Sequence, residues 1–308
     1  MSSFAQTVKA ELCRAPLPRV CCAAAESYGI LLYCNTFSEK EIRIITESAK
    51  FSARTRALFR RAFGIEFDEE RAPESGKRTL LIHVPEKLEA IFGAFGFSAR
   101  ETVSHHINLG ALEEDCCRAS LLRGAFLAGG SVSSPERDYH LELATPHHSV
   151  GRETLALLGE AGFAPKSAVR GGNFVTYFKK SSAIEDFLAL IGAGVSAMEL
   201  MNMKLEKDLR NKVNRRVNCD TANVTKAVDA AEKQLAAILA IQRAGALERL
   251  PDKLRETAEA RLRSPELSIT ELAASLSPSV SKSCLNHRLR KLAEFSTKCA
   301  ILTAAGEN

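Results

Sequence analysis

The chain has 308 residues, of which 45% are hydrophobic, and this is enough material for two domains with ordinary cores. The net charge is +5, and no apolar run reaches the roughly 18 residues that a membrane span requires. The N-terminal segment MSSFAQTVKAELCR lacks an apolar stretch after its charges, and nine cysteines, an odd number, fit a reducing compartment. These features argue against a membrane protein or a disulfide-rich secreted protein, and we expect a cytoplasmic one.

The first two thirds of the chain contain an internal repeat. At an offset of 95 residues, CCAAAESYGILLYCNTFS from Cys21 aligns with CCRASLLRGAFLAGGSVS from Cys116. The segments that follow alternate between β-patterned and amphipathic helical character in both copies. In chain order they read EIRIITES and YHLELATP, ARTRALFRRAFG and GRETLALLGEAGF, RTLLIHV and GNFVTYFKK, and PEKLEAIFGAFG and SSAIEDFLALIGAG. Each copy is predicted as αββαββα, at about 20–100 and 115–198, within a pseudo-symmetric α+β domain over 1–200.

Small residues occupy the helix that opens the second copy. Gly124, Ala125 and Ala128 would let two helix backbones approach closely at a pseudo-dyad. This helix resembles the LAGLIDADG motif of homing endonucleases, whose active members carry a metal-binding acidic residue at the penultimate motif position. That position is Gly129 in copy two and Cys34 in copy one, and neither residue replaces a carboxylate as a Mg²⁺ ligand. We therefore expect no enzyme, no catalytic residues and no catalytic metal, but a scaffold kept for binding or assembly.

Two cysteine pairs, Cys21–Cys22 and Cys116–Cys117, stand at equivalent positions of the two copies. Adjacent cysteines lack the C-x₂-C spacing of a zinc knuckle, although the four thiols could meet if the pseudo-dyad joins the two helix starts. We interpret them as small buried residues and predict neither a metal site nor a cofactor. The pairs His105–His106 and His147–His148 have no partners at a recognisable spacing, and we interpret them as surface loop residues.

Positive charge is concentrated in the last third of the chain. Residues 204–308 carry 19 basic and 13 acidic side chains, whereas residues 1–203 carry 23 and 24. This asymmetry is expected where one end of a protein meets a polyanion. Residues 201–246 are predicted as a basic helical linker, with Arg215 and Arg216 as candidate phosphate contacts. The alternative interpretation is a solvated connector stabilised by i,i+4 charge pairs.

Near the C-terminus, two short helical patterns flank a break at Ser277-Pro278-Ser279. The first pattern covers about Ile269 to Leu276, and Pro278 cannot continue that helix. Ser281 or Ser283 then offers an N-cap for a second, basic helix. This layout is typical of a helix-turn-helix, so we predict an all-α DNA-binding domain over 247–308.

The second helix of this pattern supplies the predicted contacts to double-stranded DNA. The candidate DNA-binding residues there are Ser281, Lys282, Ser283, Asn286, His287, Arg288, Arg290 and Lys291. Asn286, Arg288 and Arg290 are candidates for base or backbone contacts, and Lys282 and Lys291 for phosphate contacts. Because tryptophan is absent and aromatic residues make up only 6%, base stacking is disfavoured and duplex is favoured over single-stranded nucleic acid.

Four segments together resemble the WhiA family over nearly the whole chain. They are GAFLAGGSV at 124–132, NRRVNCDTAN at 214–223, LPDKLRETAEARL at 250–262 and LSPSVSKSCLNHRLRKL at 276–292. The resemblance implies a degenerate LAGLIDADG domain joined to a C-terminal helix-turn-helix. It also implies a DNA-binding transcription regulator involved in sporulation, cell division or chromosome segregation. Cys284-Leu285 departs from the glycine and valine usual in that family, which bears on how closely the helix approaches DNA.

The sequence therefore predicts a cytoplasmic, nucleoid-associated, sequence-specific DNA-binding protein with a catalytically inactive LAGLIDADG scaffold. Two alternatives remain at this stage. One is a nucleic-acid-cutting or maturase-like LAGLIDADG enzyme, which the missing acidic residues disfavour. The other is a scaffold that docks a transcription partner, such as an RNA polymerase sigma factor or another regulator. We expect no membrane partner.

Overall fold

The computed structural model describes residues 3–72, 76–99, 104–112, 114–136 and 138–305, and the chain divides into two compact units, Met1–Asp208 and Leu209–Asn308. The helices are α1 (Phe4–Leu12), α2 (Val20–Tyr33), α3 (Ala49–Phe63), α4 (Pro85–Ala94), α5 (Asp115–Gly129), α6 (His148–Glu160), α7 (Ser181–Leu190), α8 (Gly194–Arg243), α9 (Asp252–Arg263), α10 (Ile269–Ser275) and α11 (Lys282–Ala305). The strands are β1 (Thr36–Phe37), β2 (Ile42–Thr46), β3 (Glu69–Arg71), β4 (Arg78–Ile82), β5 (Gly130–Val132), β6 (Leu141–Thr145), β7 (Lys166–Arg170) and β8 (Asn173–Phe178). None of the described helices combines the length and the apolar character that a bilayer crossing requires.

The first unit consists of two structural repeats, α2 to α4 and α5 to α7, each with the predicted αββαββα order. Each repeat holds one antiparallel four-stranded sheet, in the orders β1-β2-β4-β3 and β5-β6-β8-β7. In β2, Ile42 and Ile44 are buried whereas Arg43 and Ile45 are exposed, as expected for a sheet with one covered face. The predicted α+β class and internal pseudo-symmetry are therefore confirmed.

The two central helices, α2 and α5, cross at glycine in both repeats. A Cβ atom added to Gly29 would lie 2.0 Å from the Leu121 carbonyl oxygen, and one added to Gly124 would lie 2.1 Å from that of Glu26. Because no side chain separates the backbones, the helices pack closer than larger residues allow. The fully buried Leu31, Leu122 and Phe126 extend from this crossing into the core of the unit.

A buried carboxylate lies beside the helix crossing. Glu26 is fully buried and accepts from Arg54 Nη2 of α3 at 2.8 Å and from Arg123 Nη1 of α5 at 3.2 Å. Arg54 also donates to the Ala15 carbonyl at 2.8 Å, and Arg123 donates to that of Ile191 at 2.6 Å. Two guanidinium groups thus compensate one carboxylate, and each of them also donates to a backbone oxygen.

Two of the four predicted surface histidines are partly buried. The His105 ring stacks on Phe37 at 4.4 Å and meets the His147 ring edge-on at 4.5 Å, and one ring nitrogen of His105 is 2.6 Å from the Phe37 carbonyl oxygen. Burial, together with the nearby His105, lowers the pKa of His147 to about 4. Burial also lowers the pKa of His105. The surface prediction fits the exposed His106 and His148 but is wrong for this pair, because the loop before α5 and the start of α6 meet here.

The second unit is helical and has its own core. Leu272 and Ala273 of α10 pack with Leu285, Leu289 and Leu292 of α11 in one buried cluster. Ile238 and Ile241 from the last turns of α8 are fully buried in the same cluster. The segment 201–246, predicted as a linker, therefore lies largely within one continuous helix whose end belongs to this core. Residues 306–308, the end of the predicted C-terminal domain, lie outside the described residues.

Candidate nucleic-acid interface

Side-chain caps fix both helices of the predicted helix-turn-helix. Ser268 and Glu271 form a capping box at the start of α10, because the serine hydroxyl accepts from the Glu271 amide and the glutamate accepts from the Ser268 amide. After the turn, the Ser281 hydroxyl accepts from the Cys284 amide at 3.2 Å. Ser281, the first of the two predicted caps, thus begins α11 at Lys282.

Helix α11 separates an apolar face from a polar one. Leu285, Leu289 and Leu292 are at most 4% exposed and recur at helical spacing. Six exposed residues form what we call the α11 stripe, because they make up two adjacent rows along the helix in which residues recur every four positions. They are Lys282, Ser283, Asn286, His287, Arg290 and Lys291. The structure thus brings six of the predicted candidates together at the surface.

The cations of the α11 stripe differ in their neighbours. Arg290 donates to Nδ1 of His287 at 3.2 Å and lies 3.8 Å from the Glu294 carboxylate, and both charged side chains are more than half exposed. Ion pairs this exposed contribute little, so a phosphate could replace the carboxylate. Neither Lys282 nor Lys291 takes part in a salt bridge among the described residues. The stripe therefore offers cationic donors without strong internal competitors.

Arg288 faces inward. Its side chain is only 13% exposed, and Nη1 lies 3.4 Å from both the Lys253 carbonyl oxygen and the Thr257 hydroxyl of α9. The Glu256 carboxylate is 3.7 Å away. Although the helical pattern put Arg288 beside the polar face, its described contacts hold α11 against α9.

Arg261 is a further organising residue, which the sequence did not reveal. It is 1% exposed and donates from Nη2 to the Gln234 side-chain oxygen of α8 at 2.8 Å. Its Nη1 donates to the carbonyl oxygen of Leu267, the residue before the N-cap of α10. Burial lowers the pKa of this guanidinium. Arg261 joins α8, α9 and the start of α10, and its only sequence signal was an arginine on the apolar side of α9.

The remaining two candidates lie on α8. Arg215 and Arg216 are exposed, and neither forms a salt bridge with another described residue. They fall within the second unit, on the same long helix whose end enters its core. Both guanidinium groups are therefore accessible to a polyanion, as a phosphate contact requires.

The helix ends that would carry catalytic acids contain no carboxylate. Cys34 follows α2, and its thiol lies 3.2 Å from the carbonyl oxygens of both Leu31 and Thr36. Burial raises the pKa of this thiol to about 12, so it stays protonated. At the end of α5, a Cβ atom on Gly129 would lie 2.4 Å from the Ala144 carbonyl oxygen. The fold therefore leaves no room at position 129 for an acidic side chain.

Comparison with known proteins places these two units in a family. A model described as the WhiA C-terminal HTH domain matches residues 213–296, and one described as the WhiA LAGLIDADG-like domain matches residues 118–210. The chain belongs to the WhiA family. A probable cell division protein WhiA from Ruminiclostridium cellulolyticum is 39% identical over 306 residues, covering 96% of this chain and 97% of the relative. Its counterpart from Alkaliphilus oremlandii is 35% identical over 311 residues, covering 96% and 97%.

A solved structure of the WhiA family has the same architecture. Full-length DUF199/WhiA from Thermatoga maritima superposes with a TM-score of 0.57 at 23% identity, and the match covers 96% of this chain and 98% of the other. At this identity the match concerns the fold alone. It confirms a LAGLIDADG-like N-terminal domain followed by a helical C-terminal HTH.

Proposed function

We propose that this WhiA-family chain is a sequence-specific regulator that binds double-stranded DNA through its C-terminal unit. The α11 stripe is the observation that carries the proposal, because it presents Lys282, Asn286, Arg290 and Lys291 on one exposed face. A helix of this kind fits the major groove, where side-chain amides and guanidinium groups read base edges. The opposite, apolar face of α11 packs into the core of the second unit.

The exposed residues divide by their chemistry. Asn286 and Arg290 can form the paired hydrogen bonds that distinguish adenine and guanine, so we assign base readout to them. We assign phosphate contacts to Lys282, Lys291 and the hydroxyls of Ser281 and Ser283, and a contact at the groove edge to His287. Arg215 and Arg216 add further phosphate contacts from α8. To Arg288 we assign the positioning of α11, since its nearest described partners are on α9.

The names of the relatives support a proposal for the cellular role. The named relatives are probable cell division proteins, which supports a role in cell division for this chain. We propose transcription regulation as the means, with chromosome segregation or sporulation among the processes controlled. Such a protein acts in the cytoplasm at the nucleoid. The first unit acts as a scaffold without nuclease activity, which the neutral residues Cys34 and Gly129 at the two helix ends support.

A titration of the full chain with labelled duplex DNA over a salt series tests this proposal. Fluorescence anisotropy should give a steep fall in affinity with salt, and the variants Lys282→Ala and Lys291→Ala should each reduce the salt slope by about one. Asn286→Ala should instead cost about 1–3 kcal/mol on a preferred sequence and little on a random one. Lys50→Ala is the matched control, since Lys50 is an exposed lysine of α3 in the other unit.

The same samples test the enzymatic alternative. With Mg²⁺ present, the DNA is analysed on a denaturing gel after the titration. Intact DNA together with α11-dependent binding agrees with the proposal. Nicked DNA, or binding that the α11 variants leave unchanged, would contradict the proposal. Either result would favour a nucleic-acid-cutting or maturase-like activity of the first unit.

A scaffold that docks a transcription partner is the second candidate function. Leu209, Val213 and Val217 recur every four residues on α8 and are 54–62% exposed. Exposed apolar rows of this kind suit an amphipathic partner helix, and the flanking Arg215 and Arg216 favour an acidic one. A sigma factor or another regulator with such a helix should lose binding to Val213→Asp, whereas DNA binding should persist.

A further inference from the structure

Four cysteines converge at the beginning of the two central helices. Cys21 and Cys22 lie in the first turn of α2, and Cys116 and Cys117 lie in the first turn of α5. The pairs occupy equivalent positions of the two repeats, so the pseudo-dyad that crosses the helices at Gly29 and Gly124 also brings the thiols together. The flanking residues meet as well, since Arg19 and Glu114 form a salt bridge at 3.7 Å.

The sulfur atoms are close enough for one ligand. Those of Cys21, Cys116 and Cys117 all lie within 4.8 Å of one another. Cys22, which is buried in the same first turn of α2, lies close to the thiols of Cys21 and Cys116 and can supply a fourth ligand. Among the described residues, this is the one place where three or more cysteine, histidine or acidic side chains could bind a common metal ion.

The surroundings favour negative charge on sulfur. Each pair lies at a helix N-terminus, where free backbone amides and the helix dipole stabilise a thiolate. Both cysteine pairs are therefore placed where the thiolate form, the form that binds a metal ion, is stabilised.

We propose that Cys21, Cys22, Cys116 and Cys117 form a binding site for a single thiophilic divalent cation, with Zn²⁺ as the physiological ion. Thiolates select zinc over Mg²⁺ and Ca²⁺, which prefer oxygen ligands. Zinc–sulfur bonds of about 2.3 Å in a tetrahedron place the sulfurs about 3.8 Å apart. The observed separations of at most 4.8 Å among three of them therefore need only side-chain adjustment, and they are too short to enclose a multinuclear cluster.

Such a site would join the two repeats. Two ligands come from α2 and two from α5, so the ion would link the helix starts beyond the glycine crossing. All four positions are protein ligands, which is the pattern of a structural rather than a catalytic zinc. Binding to the folded chain alone raises stability, so the metal should make the first unit harder to unfold.

The test uses the full chain, reduced and freed of metal, and titrated with Co²⁺ and Zn²⁺. Cobalt should produce the sulfur-to-metal charge-transfer band and the intense d–d bands of tetrahedral thiolate coordination, saturating at one ion per chain. Zinc should displace the cobalt, raise the unfolding temperature and protect the four cluster thiols from alkylation, as read by mass spectrometry. These readouts do not depend on DNA binding, so they can fail without affecting the proposed function.

Matched variants identify the ligands. Cys21→Ala with Cys116→Ala removes the two partly buried thiols and leaves the buried Cys22 and Cys117 in the core. This double variant should bind zinc at least tenfold more weakly, roughly the loss that follows removal of metal-site groups. Cys219→Ala with Cys284→Ala, two exposed cysteines of the second unit, should bind like the parent.

Three results would overturn the proposal. One is the absence of cobalt thiolate bands in the reduced parent chain. The second is zinc binding that the cluster variant retains and the control variant loses. The third is equal alkylation of the cluster thiols with and without zinc, a measurement on the parent chain that stands even if the double variant does not fold.

Discussion

Gly29 and Gly124 each lie against a backbone carbonyl of the opposite central helix. A Cβ atom added to Gly29 would lie 2.0 Å from the Leu121 carbonyl oxygen, and one added to Gly124 would lie 2.1 Å from the Glu26 carbonyl oxygen. Real Cβ contacts do not occur at such distances, and a helix backbone cannot yield as a side chain does. The separation of α2 and α5, and with it the position of both sheets, depends on these two residues.

Replacing either glycine by alanine should therefore destabilise the first unit. We expect Gly124→Ala to lower the free energy of unfolding by about 1–3 kcal/mol, the usual cost of overpacking a core. Gly159→Ala on α6 is the control, because no atom lies within 4 Å of a Cβ there. Alanine is the better helix former, so the control should be neutral or slightly stabilising in urea denaturation. Equal stability of the two variants would contradict the close approach.

The buried charge network should be sensitive to loss of its carboxylate. Glu26→Gln leaves the guanidinium groups of Arg54 and Arg123 buried without a counter-charge, and we expect a loss of about 3–5 kcal/mol in unfolding free energy. Glu66→Gln is the matched control, because the Arg60–Glu66 pair is about 70% exposed on both sides. Its loss should be below about 1 kcal/mol. A small effect of Glu26→Gln in chemical denaturation would mean that water reaches the site.

The pair His105–His147 should make stability depend on pH. The pKa of His147 is about 4 in the folded chain, against an ordinary value of 6.5. Between these values the unfolded chain binds more protons, so the free energy of unfolding falls as the pH drops from about 6.5 toward 4. Above about pH 6.5 the contribution of His147 to the free energy of unfolding is fully present. We expect about 1–2 kcal/mol for this residue after reduction for its partial exposure.

Thermal unfolding as a function of pH measures this effect. His147→Gln should flatten the fall in unfolding temperature across the window, whereas His148→Gln, at the exposed neighbouring residue, should keep it. Identical profiles for the parent and both variants would show that other groups cause the acid sensitivity.

Substitution of Arg288 should lower stability, whereas substitution of Arg290 should weaken DNA binding. Arg288→Ala removes the described contacts to Lys253 and Thr257, and we expect about 1–3 kcal/mol of lost stability in the second unit. Arg290→Ala should leave stability within about 0.5 kcal/mol, because its ion pair is exposed, and should weaken DNA binding instead. Denaturation and anisotropy on the same two proteins measure both effects. Weakened DNA binding by Arg288→Ala at unchanged stability would assign that arginine to the interface.

Local patterns were sufficient to predict the repeats. The alternation in Ile42–Thr46 and Leu141–Thr145 and the apolar periodicity of α3 and α6 each arise within one element. The helix-turn-helix was predictable for the same reason, since Pro278 and the cap at Ser281 lie between its two helices. Periodicity and turn chemistry act over a few residues, which is the range that sequence patterns cover.

Contacts between distant segments were not predictable in this way. Arg288 meets a hydroxyl 31 residues away, and the His105–His147 pair joins a loop to a later helix. The cysteine pairs were visible as a repeat, but their convergence depends on the crossing of α2 and α5. The segment 201–246 was predicted as a helical linker, but the entry of its end into the second core was not, because that depends on contacts between Ile238 or Ile241 and distant residues.

The Glu26 network also makes the two halves of the first unit chemically unequal. At the offset of 95 residues, the position of Glu26 is Leu121 in the second repeat, so only one half carries the carboxylate. Two copies of the second half would place two Arg123 guanidinium groups at the crossing with no carboxylate between them. Two copies of the first would bury two carboxylates at the crossing, without Arg123 from the other half. The duplicated halves are thus no longer equivalent at this crossing, because the carboxylate and Arg54 come from one half and Arg123 comes from the other.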